Sequence, residues 1–227
     1  MVFFCWKRIA LPYRILCVLV LLTLAMEGLG YFLLLKGINN MPLFHFYTYV
    51  EAILIAIYYY FVYHGRRIRW VYPGLLALFL IFSFINVLFN EQLTHFNSLQ
   101  RSVECIWVLM LALLFFVDLF NRSEVPDLIR YPHYWMTSGF LLYFAGTLFF
   151  SMVGDIYLSS DKVGFNVFDI HSGLNIFLNL MYTTVVWMAS GRSGKFLGKF
   201  FVYFGIAFIW MFLTFIFIEY LVWGTKK

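Results

Sequence analysis

The sequence predicts an all-α, polytopic transmembrane bundle of about seven helices, with the N-terminus inside and the C-terminus outside. Three observations carry that expectation. Hydrophobic residues make up 63% of the 227 and charged residues 12%, against roughly 45–50% and about 25% in an average soluble domain. Apolar runs close to the roughly 20 residues that cross a hydrocarbon core recur along the chain, separated by short polar breaks. No alternating barrel pattern is present, and helices are then the way to pair every backbone group in lipid. No stretch is polar or long enough to build a soluble domain, so residues 1–227 read as a single integral membrane domain without an extramembrane catalytic module.

The expected spans can be justified in order. The first, 15–35, follows Lys7, Arg8 and Arg14. It exceeds the usual signal-peptide core of about 7–15 residues and contains Glu27, so it reads as a span rather than a leader. The second, 43–63, follows the break KGINNMP and carries Tyr47, Thr48, Glu51 and Tyr58 as a stripe at helical spacing, with His45 nearer the outer surface. The third, 71–89, follows GRRIRW and places Ser83 and Asn86, with Asn90 just beyond, on one face. The fourth, 99–119, opens with Arg101 and Glu104, which at i and i+3 can pair on one helix. The fifth, 134–153, has Gly139 and Gly146 seven residues apart, a flat face that permits close approach. The sixth, 170–190, carries His171, Asn175, Asn179 and Tyr182 at spacings of four, four and three. The seventh, 200–222, follows GRSGK and contains Glu219.

Basic residues orient the spans. With the N-terminus inside, eleven Lys and Arg lie on the inner side: Lys7, Arg8, Arg14, Arg66, Arg67, Arg69, Arg122, Arg130, Arg192, Lys195 and Lys199. Five lie outside: Lys36, Arg101, Lys162, Lys226 and Lys227. That asymmetry follows the positive-inside rule, and it also explains the net charge of +5 without nucleic acid. Cys5, Cys17 and Cys105 have no paired spacing and read as inert packing thiols.

This topology puts Glu27, Glu51, Arg101, Glu104 and Glu219 in the same half of the bilayer, together with His45, Asn86, His171, Asn175 and Asn179, while the inner halves hold almost no ionisable residues. Charged groups inside a membrane cost several kcal/mol unless paired, neutralised or wetted. Four carboxylates against one arginine leave a surplus that must be protonated, reached by water, or matched by a cation. The candidate ligand- or cation-binding set is therefore Glu27, Glu51, Arg101, Glu104, His171, Asn175 and Asn179, in a polar pocket open to the outer side. The competing reading is inter-helix adhesion, worth about 1 kcal/mol or less per contact.

Several classes are disfavoured. A retinal protein needs a lysine in a late helix, and 200–222 has none. Seven-helix zinc hydrolases need several histidines, whereas only His45 and His171 are placed to contribute, so a metal site would be a mixed one with Glu51 and Glu104. No phosphate-binding glycine loop, nucleophile triad or nucleotide motif is visible, and no cofactor is implied.

Four segments carry a resemblance: NNMPLFHFYTYVE, FNSLQRSVECIWVLMLALLFF, HYWMTSGFLLYFAGTLFF and HSGLNIFLNLMYT. Together they resemble a group of uncharacterised, stand-alone multi-helix membrane proteins of Bacteroidota, across most of 39–183. The last span fits that pattern less well. The resemblance implies no assigned catalytic or binding residue. It implies a bacterial inner-membrane location and, because such proteins accompany two-component signalling genes, a membrane histidine kinase or other signalling protein as partner. The sequence-level expectation is thus a sensory or regulatory membrane subunit that is not an enzyme. The alternatives are a small cation- or proton-coupled transporter and an intramembrane metalloenzyme.

Overall fold

A computed structural model describes residues 9–89, 93–94, 97–122, 127–158 and 165–189. Side chains at 122, 153–158 and 165–172 are outside the description. The described residues form helices with no strand: α1 (Leu11–Leu35), α2 (Met41–Val62), α3 (Val71–Phe89), α4 (Ser98–Arg122), α5 (Pro132–Leu158) and α6 (Phe165–Ala189). Short 3-10 turns at Arg67–Trp70 and Leu128–Arg130 lead into α3 and α5. Among the described residues, five helical stretches are long and apolar enough to cross a membrane: Leu11–Leu35, Met41–Val62, Arg67–Phe89, Ser98–Asn121 and Pro132–Met152. A shorter apolar stretch, Gly173–Ala189, belongs to α6. The first six expected spans therefore each coincide with a helix, while the seventh, 200–222, lies outside the described residues. Helices α5 and α6 run further than expected, to Leu158 and from Phe165.

Local chemistry sets the breaks. Helix α1 is closed by Gly37 at φ 68°, a left-handed conformation that costs glycine little. Ile38 N then donates to Leu33 O and Gly37 N to Leu34 O, both at 3.0 Å, the paired bonds of a Schellman ending. Pro42 lies in the first turn of α2, where its missing N–H costs nothing. Gly65, at φ 84°, turns the chain after α2, and Arg66 reaches Asp118 near the end of α4 at 3.6 Å. Asp127 accepts from Ile129 N and Arg130 N, winding the turn that enters α5.

Helix α2 is the hub. It packs against α1, α3 and α4, and Tyr58 and Tyr59 reach Phe140 of α5. Helices α4, α5 and α6 pack in sequence, and α6 returns to α1. The core is aromatic: Tyr58, Tyr59, Tyr72, Tyr143, Tyr182, Phe140 and Phe144 are fully buried. Tyr72 stacks on Tyr59 and Tyr63, with ring centroids 5.3 Å apart in each case. Large apolar residues such as Leu24, Leu78, Ile81, Phe84, Phe120 and Phe149 point outward, as a lipid-facing surface requires. Gly139 lets α6 approach α5 to the point where an added Cβ would lie 3.1 Å from Met181 Cβ. At Gly146 it would lie 2.5 Å from Leu174 Cδ1. Cys17 and Cys105 are buried and are not disulfide-bonded.

Candidate functional site

The polar stripe of α2 faces the core because a helix in lipid turns its polar side to its neighbours. Thr48, Glu51 and Tyr58 are all buried, Glu51 to 1% exposure. The first turns of α4 lie opposite and supply Arg101 and Glu104. Arg101 Nη1 donates to Glu51 Oε2 at 2.5 Å and also to Glu104 Oε2. Arg101 Nη2 donates to the hydroxyl of Tyr143 on α5 at 3.0 Å. The guanidinium carbon also stands 5.5 Å from the Phe144 ring centroid and 5.9 Å from that of Tyr143, a cation–π arrangement. One cation thus ties three helices together.

Further groups orient Glu51. Tyr47 donates to its Oε1 at 2.9 Å. The Tyr47 hydroxyl meets Thr23 Oγ1 of α1 at 2.9 Å, and Thr23 in turn donates to Leu19 O. Toward the N-terminal end of α2, His45 Nδ1 lies 2.8 Å from Gln100 Oε1, and Asn97 Nδ2 donates to Thr48 Oγ1 at 3.1 Å. Arg101 is 9% exposed and Glu104 0%, so side chains of the described residues close over the centre.

The charges at this centre do not cancel. Two carboxylates share one guanidinium, and Glu104 Oε1 is buried without a hydrogen-bond partner among the described residues. An orphaned carboxylate oxygen in a low-dielectric interior is a position for a proton, a water or a small cation.

The structure brings together Glu51, Arg101 and Glu104, including the expected i,i+3 pair. It does not bring Glu27 to them. Glu27 is on the exposed side of the α1–α6 seam, where Asn175 Nδ2 donates to its Oε1 at 2.9 Å. Asn179 donates to Asn175 O within α6, and both asparagines are only half-buried. Of the expected α6 stripe, Tyr182 is the residue buried in the core, at 1% exposure. The side chain of His171, Asn90 and the whole of Glu219 lie outside the described residues. Among the described residues, no group of three or more His, Cys, Asp and Glu is placed to hold a metal.

Sequence reasoning missed Tyr143, Gln100, Asn97 and Thr23 as members of this network. It also missed a second polar node at the opposite end of the bundle. His133, in the first turn of α5, lies between Tyr58 OH, 2.8 Å from Nδ1, and Tyr13 OH, 3.0 Å from Nε2. The half of the bundle expected to be nearly free of ionisable residues therefore holds an imidazole clamped by two phenols. Gln100 and Asn97 sit one and four residues before Arg101, so extending the α4 pattern by one turn would have found them. No family model matches the chain, and no curated protein and no solved structure matches it either.

Proposed function

We propose that this chain is an integral membrane protein whose Glu51–Arg101–Glu104 centre binds a proton or small cation and reports its occupancy through helix packing, as a sensory or regulatory membrane subunit. One observation carries the reading: two buried carboxylates share one guanidinium, and Glu104 Oε1 is left without a partner. The closure of the centre favours a small ligand, and a proton is the smallest. Because Arg101 links α2, α4 and α5, a change of charge at either carboxylate alters the force between three helices. That is a means of passing a signal to a partner without an extramembrane domain. A membrane histidine kinase is the partner we propose, and the bacterial inner membrane the location.

The test uses the full-length protein in nanodiscs. Infrared difference spectra across a pH series should contain the C=O stretch of a protonated carboxylic acid that disappears in Glu104→Gln or Glu51→Gln, together with a wild-type melting temperature that moves with pH. Spectra without such a band, and a melting temperature flat across the series, would refute the assignment. A second reading, a small proton- or cation-coupled transporter, is favoured by a different observation: buried polar side chains continue from the centre to the His133 end of the bundle.

A further inference from the structure

Four side chains between the centre and the opposite end of the bundle, Tyr182, Tyr58, His133 and Tyr13, have no part in holding Arg101. His133 has both ring nitrogens engaged, Nδ1 by Tyr58 and Nε2 by Tyr13. A neutral imidazole has one donor and one acceptor nitrogen, so one phenol donates to it and the other accepts from it. Tyr13 also stacks on the His133 ring at 4.8 Å, and Tyr131 meets it edge-on at 5.3 Å. Among the described residues, those three tyrosines are the titratable groups in contact with it.

Tyr182 of α6 stands between this node and the centre. It is 1% exposed, and its hydroxyl has no hydrogen-bond partner among the described residues. Phe140 packs edge-on against both Tyr182, at 6.0 Å, and Tyr58, at 5.9 Å, so one ring is shared by the two tyrosines. Within electrostatic reach of Tyr182 are Glu51, Tyr143, Arg101 and Glu104 of the centre, Tyr47 beside it and Tyr58 beyond it. Glu51 and Tyr58 are seven residues apart on α2, about 10 Å along the axis, a gap that one phenol and water can span. If this position served packing alone, phenylalanine would fill it and leave no orphaned hydroxyl.

We propose that Glu51, Tyr182, Tyr58, His133 and Tyr13 form a proton path from the ion-pair centre to the end of the bundle where α5 begins. The proposal rests on the reading of the centre as a proton site. The transfers balance as a relay. A proton leaving the Glu51 carboxyl passes to the Tyr182 oxygen as the hydroxyl proton of Tyr182 leaves, through water, for Tyr58. Tyr58 gives its own proton to His133 Nδ1, the proton on Nε2 passes to the Tyr13 oxygen, and the Tyr13 proton leaves to water at the surface. Each phenol ends with one proton, the imidazole stays neutral with its proton moved from Nε2 to Nδ1, and a ring flip resets it. Water is the one co-reactant. On the other side of Glu51, the pairs Thr48–Asn97 and His45–Gln100 extend the polar column, and in the proposed path protons enter from that side.

The experiment reads proton flux into liposomes that contain the full-length protein and a trapped pH dye, with the membrane potential clamped by potassium and valinomycin. Wild type should collapse an imposed pH gradient faster than protein-free vesicles. Tyr182→Phe, which removes only an orphaned hydroxyl, should keep insertion and melting temperature and slow the protein-dependent flux by about tenfold or more, the effect of roughly 1.4 kcal/mol on a barrier. His133→Phe should slow it comparably. Wild-type flux no faster than that of empty vesicles, or Tyr182→Phe flux equal to wild type, would overturn the path. The carboxylic acid band separates the two ideas. If the band titrates in wild type while flux ignores Tyr182, the path alone fails. If the band is missing, the reading of the centre fails and the path falls with it.

Discussion

Replacing Arg101 by alanine should cost far more stability than replacing Glu104 by glutamine. At 2.5 Å from Glu51 Oε2, a unit positive charge is worth roughly 7 kcal/mol of Coulomb attraction at an effective dielectric of about 20. Desolvation of the three ions offsets much of that, so the attraction is not a net contribution. The loss on breaking the arrangement is better bounded, because removal of one partner leaves uncompensated buried charge at about 3–5 kcal/mol. In Arg101→Ala that burden falls on Glu51 and Glu104, at 1% and 0% exposure, and the Tyr143 hydroxyl loses its donor as well. Glu104→Gln keeps the Arg101–Glu51 pair and removes the surplus charge, so its expected cost is about 1 kcal/mol or less. Unfolding by SDS titration in mixed micelles, followed by tryptophan fluorescence, gives both numbers. The double variant Arg101→Ala/Glu104→Gln should regain part of the single-variant loss, a coupling expected only of groups in contact. If Arg101→Ala falls within about 1 kcal/mol of wild type, the guanidinium is wetted rather than paired, and the charge argument for the centre collapses.

Two further outcomes are expected. Gly139→Leu should separate α5 from α6 and lower the yield of folded protein more than Gly139→Ala, because even a single added Cβ would meet Met181 Cβ and Cγ at 3.1 Å; equal yields on size-exclusion chromatography would show that the helices do not depend on that approach. Cysteines introduced at Trp70 and Ile38 should label from opposite sides of the membrane, since α1 and α2 form a hairpin, with the 65–70 turn facing inward by the eleven-to-five basic asymmetry; labelling of position 70 from outside intact cells would invert the orientation.

The fold was legible where polarity and periodicity act together. Thr48, Glu51 and Tyr58 had to face inward because an apolar helix has nowhere else to put them, and Arg101–Glu104 is a pair within one helix that needs no knowledge of neighbours. The rest depends on which helices touch. Nothing in the α2 sequence says that Glu51 meets α4 rather than α6, and Tyr143 is one of sixteen tyrosines until its hydroxyl is seen at Arg101. Glu27 misled for the same reason: it shares a helix with Thr23, but it falls at the α1–α6 seam, where Asn175 satisfies it from the side. His133 falls one residue before the expected fifth span, 134–153, and the helix instead starts at Pro132. The start lies deep enough for Tyr13 and Tyr58 to reach the ring.

The distinction between adhesion and a site can be argued from where polar atoms are satisfied. Thr23, Thr48, Ser138, Thr183 and Thr184 each donate to the carbonyl four residues back on their own helix, and Ser102 meets Ser151 across α4 and α5 at 2.8 Å. These hydroxyls are self-contained or paired one to one, as glue should be. Among the orphaned buried atoms, which also include Ser83 Oγ and Thr147 Oγ1, Glu104 Oε1 and Tyr182 OH are the two within electrostatic reach of Glu51. Leaving a buried polar atom unpaired costs about 1–3 kcal/mol, and more for a charged group. A bundle that needed only to hold together would lose little with glutamine at 104 and phenylalanine at 182. The chain instead keeps a carboxylate and a phenol whose free positions adjoin a buried ion pair. What relieves both at once is a proton on the carboxylate and a water or proton beside the phenol. The packing is arranged around a mobile guest, and Glu104→Gln and Tyr182→Phe should silence the protein at little cost in stability.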